Sequence, residues 1–185
     1  MSLSDCQWTF PLESDAGVDS DADSDVDPDT DIGVDRVYRI VPVSDTSKSL
    51  GMRSLSDQSN VSVLDINSSS TSKMSWMLKS VDGYYEIAVK NLELDLRLQA
   101  TGAEDFANVQ LRTHASSSHG QLWKIEHLSG GEYKLTSKEA WLDKIDAVLT
   151  ACPIDTCAPV NDVYSDAVVQ AWHGGDNQKW MFLTW

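Results

Sequence analysis

Basic residues are scarce in this 185-residue chain, which has 14 Lys plus Arg against 29 Asp plus Glu and a formal charge of −15. Residues 1–35 hold eleven of the acids and neither Lys nor Arg. No basic run breaks the pattern further on, so the counterion release that drives proteins onto phosphate backbones has no source here. DNA and RNA are not expected as partners, and anionic membrane is a poor one. Long apolar runs are missing too. Nowhere do 18 consecutive apolar residues occur, and the start MSLSDCQWTFPLESD has neither a positive n-region nor an apolar h-region. The expectation is a soluble, cytoplasmic protein without membrane insertion. Cysteine is limited to Cys6, Cys152 and Cys157. An odd count without secretory context argues against a disulfide framework carrying the fold, although Cys152 and Cys157 are close enough in sequence to bridge locally. Histidine is equally sparse: His114, His119, His127 and His173 are scattered, with no His-x-Glu or Cys-x-x-Cys spacing and no Gly-rich phosphate loop. No metal, cofactor or catalytic residue is expected, and the chain reads as a non-enzyme.

What is present divides sharply. From Asp19 to Asp31 every second residue is Asp. Like charges at that spacing favour an extended, solvated chain, and residues 1–35 therefore read as a disordered acidic leader. Asp19, Asp21 and Asp23 resemble the first ligands of a calcium loop. That loop needs Gly where Ser24 stands and a Glu at its twelfth position, and the leader supplies neither. Ser20 and Ser24, each followed by acids one and three residues on, have the surroundings of acidophilic kinase targets. Trp8, Phe10, Pro11 and Leu12 form a small apolar cluster that could dock on the body.

Beyond residue 35, short runs rich in Val, Ile, Leu, Tyr and Trp are separated by Gly, Ser, Asn and Asp, the pattern of an all-β domain. The runs repeat. Tyr38-Arg39-Ile40-Val41, Tyr85-Glu86-Ile87-Ala88 and Tyr133-Lys134-Leu135-Thr136 each open a unit; Val61-Ser62-Val63, Val109-Gln110-Leu111 and Val168-Val169-Gln170 come later in each; Trp76, Trp123 and Trp180 close them. The units run over about 36–82, 83–129 and 130–185.

Two closing tryptophans lie in Gln-x-Trp triplets, Gln121-Leu122-Trp123 and Gln178-Lys179-Trp180, against Met74-Ser75-Trp76 in the first unit. In this the body resembles the ricin-B-type β-trefoil lectins, particularly the small single-domain ones of fungi. The resemblance implies a six-stranded barrel capped by three hairpins, with the closing tryptophans in the core. It also implies a galactose- or N-acetylgalactosamine-type glycan or glycoprotein as partner, with a homodimer possible. Sugar recognition needs an aromatic face for the apolar side of the ring and planar polar groups for its hydroxyls. By resemblance the third repeat supplies these: Trp172 as platform, Asp143 accepting from two adjacent hydroxyls, Asn177 donating to one of them, and Gln170 and Gln178 orienting the carboxylate and bracing the loop. The second repeat departs from the pattern, with Asp95 for the early Asp, Arg112 at the platform and Gly120 for the Asn. The first departs further, with Gly51, Leu64 and Lys73. An insertion from Thr150 to Val163 lengthens the loop beside the third site.

Two other functions compete. Cys157 with His173 would make a thiol nucleophile and its base, but nothing in the sequence brings them together, and paired carboxylates for glycoside hydrolysis are defined by spatial separation. Protease inhibition through exposed loops on the same barrel is the rival of a different class, because one fold carries many functions.

Overall fold

The computed structural model describes residues 32–90, 93–142, 146–152 and 165–185. Most of the acidic leader, Asp143, Cys6 and Cys157 lie outside the described residues, as does most of the insertion.

Twelve strands account for the body among the described residues: β1 Val37–Pro42, β2 Lys48–Met52, β3 Val61–Asp65, β4 Trp76–Val81, β5 Tyr84–Val89, β6 Leu96–Ala100, β7 Ala107–Thr113, β8 Leu122–His127, β9 Tyr133–Ser137, β10 Ala147–Ala151, β11 Ser165–Ala171 and β12 Trp180–Thr184. Antiparallel pairing runs β1–β4–β5–β8–β9–β12 and back to β1, which closes a six-stranded ring. Closure leaves the ring without an exposed edge. The remaining strands form three hairpins, β2–β3, β6–β7 and β10–β11. β11 pairs with both β3 and β7, and Asn60 bridges Gln110, so the hairpins join one another over one end of the ring.

Local chemistry sets these elements. β4 and β5 are joined by Asp82 and Gly83 alone, at φ 49° and 78°, with Val81 opposite Tyr84. A two-residue turn with both central residues left-handed matches the twist of the flanking strands, and Asp-Gly is well suited to it. Ile40, Leu50, Leu78, Ile87, Leu98, Leu111 and Leu135 are fully buried. Phe182 meets Tyr38 and Tyr133 edge-on, with ring centroids 5.6 and 5.3 Å away, the arrangement aromatic quadrupoles favour.

The internal repetition appears in the hydrogen bonds. Trp76, Trp123 and Trp180 are fully buried, and their indole Nε1 atoms donate to the carbonyls of Leu50, Leu98 and Leu149 at 2.9, 3.0 and 2.9 Å. Those three leucines sit opposite Val63, Leu111 and Val169 in their hairpins. Three residues before each leucine, the carbonyls of Ser47, Asp95 and Asp146 accept from the backbone of Ile66, His114 and Trp172. The closing tryptophans are thus core, each pinning one hairpin to the ring.

Two details add to the sequence reading. Ile32 packs against the core, the Tyr38 hydroxyl donates to the Gly33 carbonyl at 3.0 Å, and the Asp35 amide donates to the Leu78 carbonyl at 3.1 Å. The last residues of the acidic segment therefore belong to the folded body. Cys152, buried at the end of β10, is disulfide-bonded, and its partner lies outside the described residues. No described helix is long and apolar enough to cross a membrane.

Candidate carbohydrate site

The third repeat brings Gln170, Trp172, Asn177 and Gln178 onto one hairpin and the turn that follows it. Gln170 is on β11 opposite Val148, partly buried. Gln178 is fully enclosed. Its Oε1 accepts from the His173 amide at 2.7 Å, and its Nε2 donates to the Ala171 carbonyl at 2.8 Å and to Thr150 Oγ1 at 3.3 Å. It braces the turn, leaving no side-chain surface for a ligand.

Trp172 and Asn177 face opposite ends of β10. The Trp172 amide bonds Asp146, just before the strand, whereas Asn177 Nδ2 donates to the Ala151 carbonyl at its far end. Five residues of extended chain separate the two acceptors by about 16 Å. Around the half-buried Trp172 the structure assembles a charged group the sequence did not single out. Lys134 Nζ lies 5.4 Å from the ring centroid, 3.3 Å from Asp146 Oδ1 and 3.1 Å from Glu126 Oε2. Burial opposes the charge on Lys134, yet the bond and charge of Glu126 prevail and raise its pKa. Burial likewise opposes the charge on Glu126, but hydrogen bonds from Lys124 and Lys134 hold its carboxyl below the usual glutamate range. Asp146 remains half-exposed, its carboxylate joined to the Trp172 ring only through the Lys134 ammonium.

Hairpin register also changes which residues correspond between repeats. Ser49, Arg97 and Val148 each precede the leucine that accepts from a closing tryptophan, and they pair with Leu64, Arg112 and Gln170. Gln170 is thus the counterpart of Leu64 and Arg112, and Trp172 the counterpart of Ile66 and His114. Likewise Asp95 corresponds to Asp146. The sequence comparison missed this because the loop between β10 and β11 is longer than its counterparts.

His114 closes a part-buried network in the second repeat, with Glu86 and Arg97 buried and Asp95 exposed. Its Nε2 lies 2.9 Å from Glu86 Oε1, while Arg97 donates from Nε to Glu86 Oε2 at 2.8 Å and from Nη2 to Asp95 Oδ1 at 2.7 Å. These residues wall a cleft of about 400 Å³ together with Ser116 and Ser118. The first repeat has a separate cleft of about 560 Å³, between Arg53, Leu64, Lys73 and Ser68–Ser70. Among the described residues no group of three or more His, Cys, Asp and Glu side chains is arranged to hold a metal.

No protein-family model matches the chain, and no curated protein does either. Solved structures do. The designed 3-fold symmetric protein ThreeFoil superposes with a TM-score of 0.65 at 24% identity, over 80% of this chain and 99% of that one. An exo-β-1,3-galactanase from Clostridium thermocellum gives 0.65 at 20% identity, over 82% of this chain and 30% of that one. The Polyporus squamosus lectin, bound to Neu5Acα2-6Galβ1-4GlcNAc, gives 0.61 at 14% identity, over 82% and 50%. This chain thus spans about a third of the galactanase and half of the lectin. At these identities the likeness is one of fold: the chain is an all-β protein whose structural neighbours include β-trefoils.

Proposed function

We propose that this protein is a β-trefoil lectin of the ricin-B-like kind, which binds galactose- or N-acetylgalactosamine-type glycans in its third repeat without catalysing a reaction. The observation that carries the reading is the partly exposed Trp172, with the Lys134 ammonium over its ring at 5.4 Å and the Asp146 carboxylate 3.3 Å from that ammonium. An indole face covers the apolar C–H patch of a pyranose, a carboxylate accepts from adjacent hydroxyls, and an ammonium donates to a ring or hydroxyl oxygen. Asp143, the acceptor that the resemblance assigns, lies outside the described residues. Gln170 and Asn177 serve further sugar units of an oligosaccharide along the same hairpin. The fold shared with a lectin and with a galactanase supports the same reading.

Single hydrogen bonds net about 1 kcal/mol, so a monosaccharide is expected to bind in the millimolar to high-micromolar range. A glycan array followed by titration with N-acetylgalactosamine tests the reading. Galactosides should bind the wild type, with Trp172→Ala and Asp146→Asn abolishing binding while the proteins stay folded. An array blank at high protein concentration would overturn the lectin reading, and tight inhibition of papain or trypsin by the same sample would put the inhibitor function in its place.

A further inference from the structure

The tip of the second hairpin, where it meets the third, carries a side chain that the fold does not require. Phe106, between β6 and β7, has φ 66° and is 49% exposed. Bulky residues avoid this left-handed region because Cβ crowds the following carbonyl, and a half-exposed ring recovers only part of that cost by burial. The backbone itself does need the conformation. The Phe106 amide donates to the Val169 carbonyl at 2.8 Å, while Ala107 is the residue paired with Val169, so two residues of one strand oppose one of the other. That is a β-bulge with a left-handed first residue, a place glycine commonly takes. Asp105 Oδ1 accepts from the Ala171 amide at 2.7 Å, and the two bonds clamp β11 on either side of Gln170.

The first hairpin repeats this device with a different side chain. Gln58, at φ 64°, donates to the Leu111 carbonyl at 2.8 Å, the Leu111 amide donates to the Ser59 carbonyl at 2.8 Å, and Asp57 Oδ1 accepts from the Thr113 amide at 2.7 Å. An exposed glutamine serves the bulge there. The geometry therefore accounts for the left-handed backbone at Phe106 but not for an aromatic ring. Another half-exposed aromatic, Trp185, carries the Arg39 guanidinium 4.1 Å from its ring centroid, whereas among the described residues no ring or cation packs on Phe106. Trp172 lies three residues along β11 from Val169 and one strand over from the bulge, on the order of 10 Å away, with Gln170 between. A single pyranose does not cover that span, and a short oligosaccharide does.

We propose that Phe106 is a specificity-determining contact that the second hairpin lends to the third-repeat site, selecting oligosaccharides over the monosaccharide. The terminal sugar stacks on Trp172, the apolar C–H face of a following sugar rests on the Phe106 ring, and Gln170 exchanges hydrogen bonds with hydroxyls between them. The bulge aims the ring across the seam between the two hairpins, and the Asp105 bond to Ala171 holds it there. Because the ring is fixed before the ligand arrives, little ordering opposes its contribution. This rests on the lectin reading above but concerns a residue that reading does not use.

The test is calorimetric titration of the full chain with galactose, N-acetyllactosamine and lacto-N-neotetraose, which all end in the same sugar. The wild type should bind the longer glycans about fivefold more tightly than galactose. Phe106→Gln, which copies Gln58, should erase that preference while leaving galactose affinity and the melting temperature as they were, and Phe106→Tyr should keep it. Intermolecular NOEs from the Phe106 ring to C–H protons of an inner sugar give a readout on the unaltered protein. Galactose binding without any gain for the longer glycans, a gain that persists in Phe106→Gln, a lower melting temperature in that variant, or NOEs confined to Trp172 would each overturn the role of Phe106 alone. No binding of any of the three sugars overturns the lectin reading with it.

Discussion

The amide of Gln178 serves the His173 amide, the Ala171 carbonyl and the Thr150 hydroxyl at once, and Gln121 repeats this one unit earlier by serving the Ala115 amide, the Thr113 carbonyl and Gln99. Met74 fills that place in the first repeat with no such bonds and stays fully buried, so the position tolerates an apolar side chain only where its neighbours need no partner. Gln178→Ala strands buried donors and acceptors and should cost about 2 kcal/mol, read as a lower urea midpoint with an unchanged slope. Titration of one carboxylate is a second residue-scale matter. Glu126 has its folded pKa depressed by Lys124 and Lys134, so its contribution to stability is present above the ordinary glutamate value of about 4.3 and is lost as pH falls through the lower folded value. Glu126→Gln lacks that contribution at every pH. Melting temperatures of the two proteins should therefore differ at pH 6 and converge below pH 4; a constant gap would show that the ion pairs to Glu126 carry no net stability.

Among the elements, the β4–β5 turn isolates backbone conformation from packing. A Cβ on Gly83 would meet nothing within 4 Å, yet φ there is 78°. Gly83→Ala should therefore cost about 1 kcal/mol through the left-handed backbone alone, measured by thermal unfolding, and a neutral result would mean that the turn relaxes to another type. Strands such as Tyr85-Glu86-Ile87-Ala88 were legible from their apolar alternation, as were the three closing tryptophans from their recurrence, because both are local or periodic signals. The pairing of Gln170 with Val148 was not. Register depends on loop length, and a slip of one residue turns every side chain to the other face. The longer connection from β10 to β11 hid that Trp172 answers to His114, and with it the Lys134, Glu126 and Asp146 group, whose members come from three separate strands or their ends. Asp146 had a visible signal, an acid three residues before the buried leucine in both the second and third repeats. Lys134 and Glu126 had none, because ion pairing between adjacent strands is set by a register that neither segment encodes alone.

For the whole molecule, the charge asymmetry and the folded unit do not share a boundary. The acidic run ends at Asp35, but the body begins no later than Ile32, whose side chain packs on the core beside the Tyr38–Gly33 and Asp35–Leu78 bonds. Two truncations separate the contributions. Deleting residues 1–31 removes ten acids and no base, leaving a formal charge of −5, and should change the anion-exchange elution while leaving both the melting temperature and glycan binding as they were. Deleting residues 1–35 removes only one further charge. It also removes the apolar burial of Ile32, worth about 1.5 kcal/mol, and the bond from the Tyr38 hydroxyl to the Gly33 carbonyl, so its melting temperature should fall by several degrees. Glycan binding should survive in both at temperatures where they stay folded, because Trp172, Asp146 and Lys134 belong to the third repeat, far along the chain from the deleted residues. If the shorter deletion already destabilised the protein, the acidic segment would be a structural part of the fold, and its charge could no longer be considered apart from the barrel.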